Sequence, residues 1–520
     1  MINLKKILAV FVLLAMIFGT TGAAFAESSA MTSEQYSLTD AGAYDLFTNY
    51  VDGYSLNVDH GMNVDMRYSS VGTILENTNK RIEIYKQYIG STGKAGYINY
   101  SNKFLSNTND HVTEYNGVQT INGHTVNIVV WHRNKLSRVA NDKNYYICMD
   151  IQQGNYCYTI FMKATDPIAN MGGYTYLIDH FSTFAPTKAA YMRVAQKTDL
   201  DDKNWNDETK AFYQQYFSDE SDLTWGIFEP DTSAFDYTML DYYQYYFDYQ
   251  FPILLNYSEF DNTYKHPNLK QRLDTAYDHN KVLELTLQTT WKQDGNMVYD
   301  ILDGQYDEFL RDYAQVVADF GHPVLFRLGN EMNGDWCPYS SYNTSRDTTM
   351  YKEFYKYVYS FFEKAGAQNV IWIWNPNCAS FPNFNWNDEM MYYPGDKYVD
   401  IVGMTAYNTG TYYASTGEKW HEFKELYEGL YYDYCAKFQQ PLMITEFSSA
   451  SMGGDKNQWV INMFNTIKDY DRIKAAVWWD GCDWDANGNV ARSYFMDETP
   501  ALLDIFKKYL KSSWDKDVYA

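Results

Sequence analysis

The chain has 520 residues, 46% of them hydrophobic, so it is long enough for two or three domains with sizeable cores. Its net charge of −24 at pH 7 disfavours nucleic acid and anionic membrane surfaces as partners, whereas a neutral polymer is compatible with it. Aromatic residues make up 18% of the chain, and they serve either as ordinary core or as stacking platforms in sugar-binding clefts.

The first 26 residues have the features of a secretory signal peptide. Lys5-Lys6 form a basic start, an apolar stretch runs from Ile7 to Phe18, and Ala24-Phe25-Ala26 fits a cleavage site. That stretch is short for a membrane span, and no other apolar run is long enough for one. We therefore expect a secreted chain. Because the segment holds two lysines and no acid, its removal changes the net charge from −24 to −26.

After a Ser/Thr-rich leader, 27–40, residues 41–195 are predicted to form a small α+β domain built on one antiparallel sheet. Asn-Gly pairs at 116–117 and 122–123 predict turns, and Tyr174 to Phe184 predicts a closing helix. The predicted strands are Tyr97–Tyr100, Thr125–Trp131, Tyr145–Met149 and Tyr156–Met162. The sequence gives this domain no chemistry, so its role stays open between a spacer or stabilising module and a carbohydrate-binding or cell-surface module.

Six cysteines in this length do not indicate a disulfide scaffold. Cys148 and Cys157 flank a predicted hairpin turn that a disulfide could bridge, and two of Cys337, Cys378 and Cys482 could meet after strand ends. No Cys/His spacing resembles a zinc site, and we expect neither a metal nor another cofactor.

Residues 196–222 form an acidic junction, and from 223 to 520 short apolar strands alternate with helical patterns. Eight such β-then-α units predict a (β/α)8 TIM barrel, an α/β fold. A doubly wound sheet is the competing fold, but the Gly-rich phosphate loop that often follows its first strand is missing. The eight predicted strands are 224–229, 252–257, 282–288, 323–331, 369–375, 398–404, 441–447 and 473–479.

The predicted strands end in groups that bind or react, whereas their beginnings are mostly apolar. In a barrel of this kind the catalytic groups lie at the C-terminal ends of the strands. Glu331 ends the fourth strand and Glu446 the seventh, so the two carboxylates would face each other across the mouth. Cleavage of a glycosidic bond needs such a pair, one as acid and one as base or nucleophile.

Neighbouring side chains would divide the roles of these two carboxylates. Arg327 and Tyr407 are expected to keep Glu446 ionised by charge and hydrogen bonding. Glu331 needs a raised pKa to carry a proton, which nearby tryptophan and the like charge of Glu446 would supply. Further strand-end candidates for substrate binding are Asn330, Trp336, Asn375, Trp478 and Trp479.

Three segments carry a resemblance to a known family: Arg327–Trp336, Trp372–Asn377 and Tyr393–Gly403. Together with Thr445-Glu446-Phe447 they resemble glycoside hydrolase family 26 of clan A, over roughly 224–510. The resemblance implies a retaining endo-β-glycanase of the mannanase type, with Glu331 as acid/base and Glu446 as nucleophile.

The same resemblance assigns roles around the two carboxylates. Arg327, Trp336 and Tyr407 would line the cleaved subsite, and Trp478 or Trp479 would form the platform under the sugar. The family usually has histidine before the acid/base glutamate, where this chain has Asn330. In other clan A enzymes an asparagine at this position typically contacts the sugar 2-hydroxyl, the position at which mannose and glucose differ.

We therefore expect a polysaccharide as the partner, with β-1,4-mannan as the first candidate. The alternatives are a β-glucanase, a hydrolase or transglycosidase that trims exopolysaccharide, and a polysaccharide-binding protein without catalysis. The sequence leaves the oligomeric state open.

Overall fold

The computed structural model describes residues 34–171, 173–261 and 265–512, so the predicted signal peptide lies outside the described residues. The chain divides into two compact units. The first comprises the residues up to Arg193 together with Phe384–Trp386, and the second comprises the remainder from Val194 onward. No helix in the described ranges is both long enough and apolar enough to cross a membrane.

The described part of the first unit is made of strands with two short helices. Its helices are α1 (Gly93–Ser101) and α2 (Tyr176–Asp179). Its strands are β1 (Tyr36–Asp40), β2 (Asp45–Asn49), β3 (Tyr54–Val58), β4 (Asn63–Asp65), β5 (Thr73–Glu76), β6 (Lys80–Tyr88), β7 (Val112–Ile121), β8 (His124–His132), β9 (Tyr145–Gln153), β10 (Tyr156–Ala164) and β11 (Ser182–Thr183).

These strands form two antiparallel sheets, not the single sheet predicted. The smaller has the order β1-β2-β3-β11 and the larger the order β4-β5-β6-β10-β9-β8-β7. Alternate residues of β9 enter different cores: Ile147 and Met149 join a cluster with β3 and α2, whereas Tyr146 and Cys148 pack with Trp131. The larger sheet is therefore buried on both faces near its centre, which explains its unbroken apolar strands.

Several local predictions in this unit are wrong. Tyr97–Tyr100 lies in α1, because Tyr97, Ile98 and Ser101 bury one helical face, and residues 36–40 of the predicted leader form β1. Asn116-Gly117 lies inside β7, and the predicted helix from Tyr174 is reduced to the four residues of α2. The turn at Asn122-Gly123 is confirmed, with positive φ at both residues.

The proposed disulfides do not form, and none of the six cysteines is part of a disulfide. In the hairpin, Cys148 lies opposite Phe161 and Cys157 opposite Gln152, so four residues along the strands separate the two thiols. That offset is too large for the Cα separation that a disulfide requires.

The second unit is a closed barrel of eight parallel strands in sequential order, which confirms the predicted (β/α)8 fold. Every predicted strand is present, with shifts of up to three residues at the ends. The strands are β12 (Thr224–Phe228), β13 (Ile253–Glu259), β14 (Val282–Gln288), β15 (Val324–Leu328), β16 (Val370–Trp374), β17 (Ile401–Thr405), β18 (Leu442–Phe447) and β19 (Ile473–Trp479), and a hairpin of β20 (Cys482–Trp484) and β21 (Val490–Ser493) follows.

Helices surround the barrel, and one of them contributes side chains to the hydrophobic core of the barrel. They are α3 (Asp207–Phe217), α4 (Thr238–Phe247), α5 (Pro267–Asp278), α6 (Met297–Leu302), α7 (Asp307–Phe320), α8 (Thr348–Ala365), α9 (Glu389–Tyr392), α10 (Phe423–Lys437), α11 (Lys456–Ile467) and α12 (Pro500–Ser512). The helix α3 lies within the predicted junction, where Asn206 caps it by accepting from Thr209 N. Its Phe212, Tyr213 and Phe217 cluster with inward residues of the barrel strands, so α3 is part of the barrel core.

Candidate active site

Strand β15 carries the predicted site residue Arg327, and the turn after it carries Asn330 and Glu331. All five of its residues are buried, and the chain then turns at Gly329 and Glu331, both of which have positive φ. A Cβ at Gly329 would come within 3.3 Å of the rings of Tyr339 and Tyr351, so glycine suits this turn. Glu331 is held in its strained conformation by a hydrogen bond from its backbone N to Asn375 O at 2.7 Å. Such strain is characteristic of functional positions.

Glu446 lies on β18 and is almost fully buried. Arg327 Nη2 donates to its Oε2 at 2.7 Å, and the hydroxyl of Tyr257 on β13 donates to the same oxygen. The bond from the guanidinium is charge-assisted, so it is the stronger kind of hydrogen bond. The sequence analysis named Tyr407 for this contact, but Tyr407 makes no side-chain hydrogen bond to the described residues, and Tyr257 takes its place.

Arg327 is fully buried and ties four strands together. Its Nε donates to Thr286 Oγ1 on β14 at 2.7 Å, and its Nη1 donates to Asn375 Oδ1 after β16 at 3.0 Å. With the bond to Glu446, these contacts fix the plane of the guanidinium from three sides.

Glu331 has a different environment from Glu446. Burial raises the pKa of Glu331 well above its usual value, and the negative charge of Glu446 acts in the same direction. The indole N–H of Trp336 donates to Glu331 Oε2 at 3.3 Å and only partly offsets that rise. A carboxyl in this environment retains its proton at a pH where an ordinary carboxyl is ionised.

Asn330 precedes Glu331 and is oriented by two neighbours. Gln288 Nε2 donates to its Oδ1 at 2.5 Å, and Tyr339 donates to its backbone O at 2.6 Å. The exposed ring of Trp336 lies beside Phe381, with 5.4 Å between ring centroids.

Two predicted substrate-binding residues do not face the barrel mouth. Asn375 is fully buried, and its Oδ1 accepts from Arg327 and from Thr445, so it supports the arginine. Trp478 is packed against Phe447 and Phe506, outside the strands. Both corrections follow from side-chain direction, which strand-end position alone does not reveal.

Trp479 points the other way, because neighbouring residues of a strand face opposite sides. Its ring is stacked on Phe228 at 5.1 Å and lies 6.4 Å from that of Tyr407. Of the two predicted platforms, Trp479 is therefore the one near the carboxylates.

Residues of the barrel interior to which the sequence assigned no specific role also hold the site. Besides Tyr257, these are Glu284, Thr286 and Gln288, at alternate positions of β14. The signal was present in the sequence, since a polar residue at every second position of an apolar strand indicates one shared polar face. The identity of the residues at strand ends does not by itself reveal this alternating pattern.

Exposed aromatic side chains follow several strands at their C-terminal ends, where they could stack on the apolar faces of sugars. They are Trp291, Trp336, Phe381 and Trp484. The single group of possible metal ligands in the described residues, formed by Asp40, Asp45 and His60, lies in the first unit. Both ring nitrogens of His60 are already bonded there, to Asp45 and to Gly42 O.

Comparison with known proteins finds a family model that part of the barrel matches. Residues 259–476 match the model of Glycosyl hydrolase family 26. The barrel is family 26-like. The resemblance found in the sequence motifs is thereby confirmed, and the match extends from the end of β13 into β19.

Two curated relatives share part of their length with this chain. Endoglucanase H of Acetivibrio thermocellus is 32% identical over 222 residues, which is 42% of this chain and 24% of that protein. A mannan endo-1,4-beta-mannosidase of Bacillus subtilis is 30% identical over 150 residues, 28% of this chain and 36% of that protein. The chain thus spans between a quarter and just over a third of the length of these relatives. Among solved structures, the catalytic domain of the Bacillus sp. JAMB-750 GH26 endo-beta-1,4-mannanase has a TM-score of 0.44 at 19% identity, covering 62% of this chain and 94% of that one.

Proposed function

We propose that the protein is a secreted, retaining endo-β-glycosidase that hydrolyses a β-linked polysaccharide, with β-1,4-mannan as the first candidate. The observation that carries the proposal is the unequal environment of the two carboxylates: Glu446 receives two hydrogen bonds, one of them from a cation, whereas burial favours the protonated form of Glu331. Two carboxyl groups whose environments differ in this way are suited to act as nucleophile and acid.

The chemistry is a double displacement. Glu331 gives its proton to the leaving oxygen while Glu446 attacks the anomeric carbon, forming a glycosyl ester. Both donors to Glu446 bind Oε2, so Oε1 is the oxygen available for attack. In the second step Glu331, now ionised, takes a proton from water, which attacks the anomeric carbon and releases Glu446.

A β-glucan is the second candidate substrate. Endoglucanase H matches a larger share of this chain than the mannosidase does. The residue before Glu331 is Asn330, and its side-chain amide is oriented by Gln288. An asparagine at this position would contact the 2-hydroxyl of the bound sugar.

A panel of glycans tests the reaction and the substrate together. Wild-type protein is incubated with β-1,4-mannan, mixed-linkage β-glucan and xylan, with release of reducing ends as the readout and Glu446→Ala as the matched control. Release from one glycan by wild type but not by the variant supports the proposal. No release from any glycan contradicts it and favours a binding protein or an enzyme specific for another polymer.

The stereochemical course tests the double displacement separately. Proton NMR of the first product should show the β-anomer, since two inversions give net retention. An initial α-anomer would mean a single displacement and would overturn the assignment of Glu446 as nucleophile.

Secretion rests on the signal-peptide pattern of residues 1–26. Expression of the full chain in a bacterial host should yield extracellular protein whose mature N-terminus, read by mass spectrometry, is Glu27. Protein that remains in the cells with residues 1–26 still attached would contradict secretion.

A further inference from the structure

Glu284 is a buried carboxyl group beneath the site, and the double displacement assigns it no step. It lies on β14 between Leu283 and Leu285, with no exposed surface. Because side chains alternate along a strand, it shares the inward face of β14 with Thr286 and Gln288, which bond Arg327 and Asn330. Glu284 therefore lies one layer below the residues that hold the site.

The carboxylate of Glu284 is poorly satisfied where it lies. Within the described part of the chain, neither of its oxygens has a hydrogen-bond partner. Its ion-pair partner is Arg327, with 3.2 Å between Oε1 and Nε, but the hydrogen on that nitrogen is directed to Thr286. A buried acid without hydrogen bonds is costly, and an apolar residue of similar volume would be cheaper for folding alone. The position therefore calls for an explanation beyond packing.

The charged and titratable groups that act on or face Glu284 are Arg327, Glu446 and the hydroxyl of Tyr257. Burial raises the pKa of Glu284 to about 8, Arg327 acts to lower it, and the charge of Glu446 raises it. As long as Glu446 is ionised, it neutralises Arg327, and Glu284 is favoured in its protonated form. The guanidinium of Arg327 thus has two carboxyl groups beside it, Glu284 and Glu446. Its single positive charge needs only one of them to be ionised.

We infer that Glu284 is the reserve counterion of Arg327 and takes over from Glu446 whenever that carboxylate loses its charge. In the proposed double displacement, on which this catalytic role rests, Glu446 becomes an uncharged ester as its Oε1 bonds the anomeric carbon. The negative charge moves to Glu331, which bonds Trp336 and not Arg327. Glu284 then ionises, its proton passing to bulk water, and it regains a proton when the ester is hydrolysed.

The charge coupling is measured without any substrate. Infrared difference spectra between wild type and Glu284→Gln isolate the protonated carboxyl band of Glu284, which is followed as a function of pH. The same difference is recorded in a Glu446→Gln background, where position 446 is permanently neutral. We expect the midpoint to fall by at least about one pH unit in that background. An unchanged or higher midpoint overturns the inference.

Glu229 provides a matched control. It is also a buried strand-end glutamate with a raised pKa, about 7, but its carboxylate caps the turn at Asp231 and Thr232. Its band, isolated with Glu229→Gln, should titrate at the same pH in both backgrounds. A shift equal to that of Glu284 would point to a general change in the barrel and would overturn the specific coupling.

Kinetics separate a counterion from a spacer. On whichever of β-1,4-mannan or mixed-linkage β-glucan the wild type cleaves, Glu284→Gln should lower kcat/KM about tenfold, the equivalent of one pKa unit. Glu284→Asp, which keeps the charge, should retain more activity, and Glu229→Gln should stay within about twofold. Full activity of Glu284→Gln would contradict the counterion role. If the wild type cleaves no glycan, the proposed function fails, while the infrared shift still decides the coupling.

Discussion

At the scale of single residues, Glu331 and Glu446 are chemically identical groups that differ in their hydrogen-bond partners. Glu446 is reached by the guanidinium of Arg327 and the hydroxyl of Tyr257, and hydrogen bonds to a charged form stabilise that form. Glu331 is reached by one neutral indole N–H at 3.3 Å, which cannot offset its burial. The proposed division into acid and nucleophile thus follows from three neighbouring side chains.

The proposed role of Glu331 predicts a specific pH dependence. Because its pKa is raised, the proton that it must donate is present at neutral pH and is lost as the pH rises through that value. We expect the alkaline limb of kcat/KM to report this loss, and Glu331→Gln to lower kcat/KM by about 10²- to 10⁴-fold. The check is a pH series on the cleaved glycan, and an alkaline limb that persists unchanged in the variant would contradict the assignment.

Tyr257 gives a second prediction. Its hydroxyl donates to Glu446, and a hydrogen bond to a charged group contributes about 1.5–3 kcal/mol. Tyr257→Phe should therefore lower kcat/KM by about 10- to 100-fold while leaving the fold intact. Tyr407→Phe is the matched comparison, since that hydroxyl bonds none of the described side chains, and its loss should be smaller. The reverse order of the two losses would contradict the geometry.

At the scale of elements, β14 illustrates what the sequence could predict. Its bounds were predicted to the residue, and its polar positions alternate strictly, so the inward face was accessible from pattern alone. By contrast, Tyr97–Tyr100 was predicted as a strand because its residues favour strands, and it forms a helix because tertiary packing buries Tyr97 and Ile98 together. The preferences of single residues determine the secondary structure of such a segment only where tertiary packing does not oppose them.

The helix α3 was predicted as part of the junction, because the acidic composition of residues 196–222 as a whole is typical of a linker. Its apolar residues nevertheless pack among the inward side chains of the barrel strands. Phe217 is fully buried, so Phe217→Ala should lower the free energy of unfolding of the barrel by about 3–5 kcal/mol. The measurement is denaturant unfolding followed by tryptophan fluorescence.

Gln215 on the same helix is exposed and supplies the control. Gln215→Ala should change stability by no more than about 0.5 kcal/mol. If both variants lose the same stability, the helix itself and not its buried face would be responsible.

At the scale of the whole molecule, the number and order of β-then-α units was enough to predict the closed barrel, because that count admits few topologies. Side-chain direction was not predictable in the same way. Trp478 and Trp479 are neighbours in sequence, yet one packs outside the strands and the other lies near Tyr407. A shift of one residue in the predicted strand would exchange the sides to which the two indole rings point. Their directions follow only from the observed pairing of β19 with β12.

Fully buried acids with a shifted pKa predict a different pH response for each unit. In the barrel, burial raises the pKa of Glu229 and of Asp480 to about 7 and that of Glu284 to about 8. The folded barrel therefore binds more protons than the unfolded chain between about pH 4 and 8, and its stability falls as the pH rises through that range. In the first unit, although burial opposes it, the charges of Lys163 and Arg81 hold the pKa of Glu83 well below its usual value.

For Glu83 the sign is the reverse. Its stabilising contribution is complete above the unfolded pKa of about 4.3 and is lost as the pH falls below it. Calorimetry should thus resolve one transition whose midpoint drops below pH 4, and another whose midpoint falls by at least about 5 °C from pH 5 to 8. Glu229→Gln and Glu284→Gln should flatten the second, and Glu83→Gln should weaken the acid response of the first. A barrel transition whose midpoint rises with pH would contradict the raised pKa values of these carboxyl groups, because unfolding would then take up protons instead of releasing them.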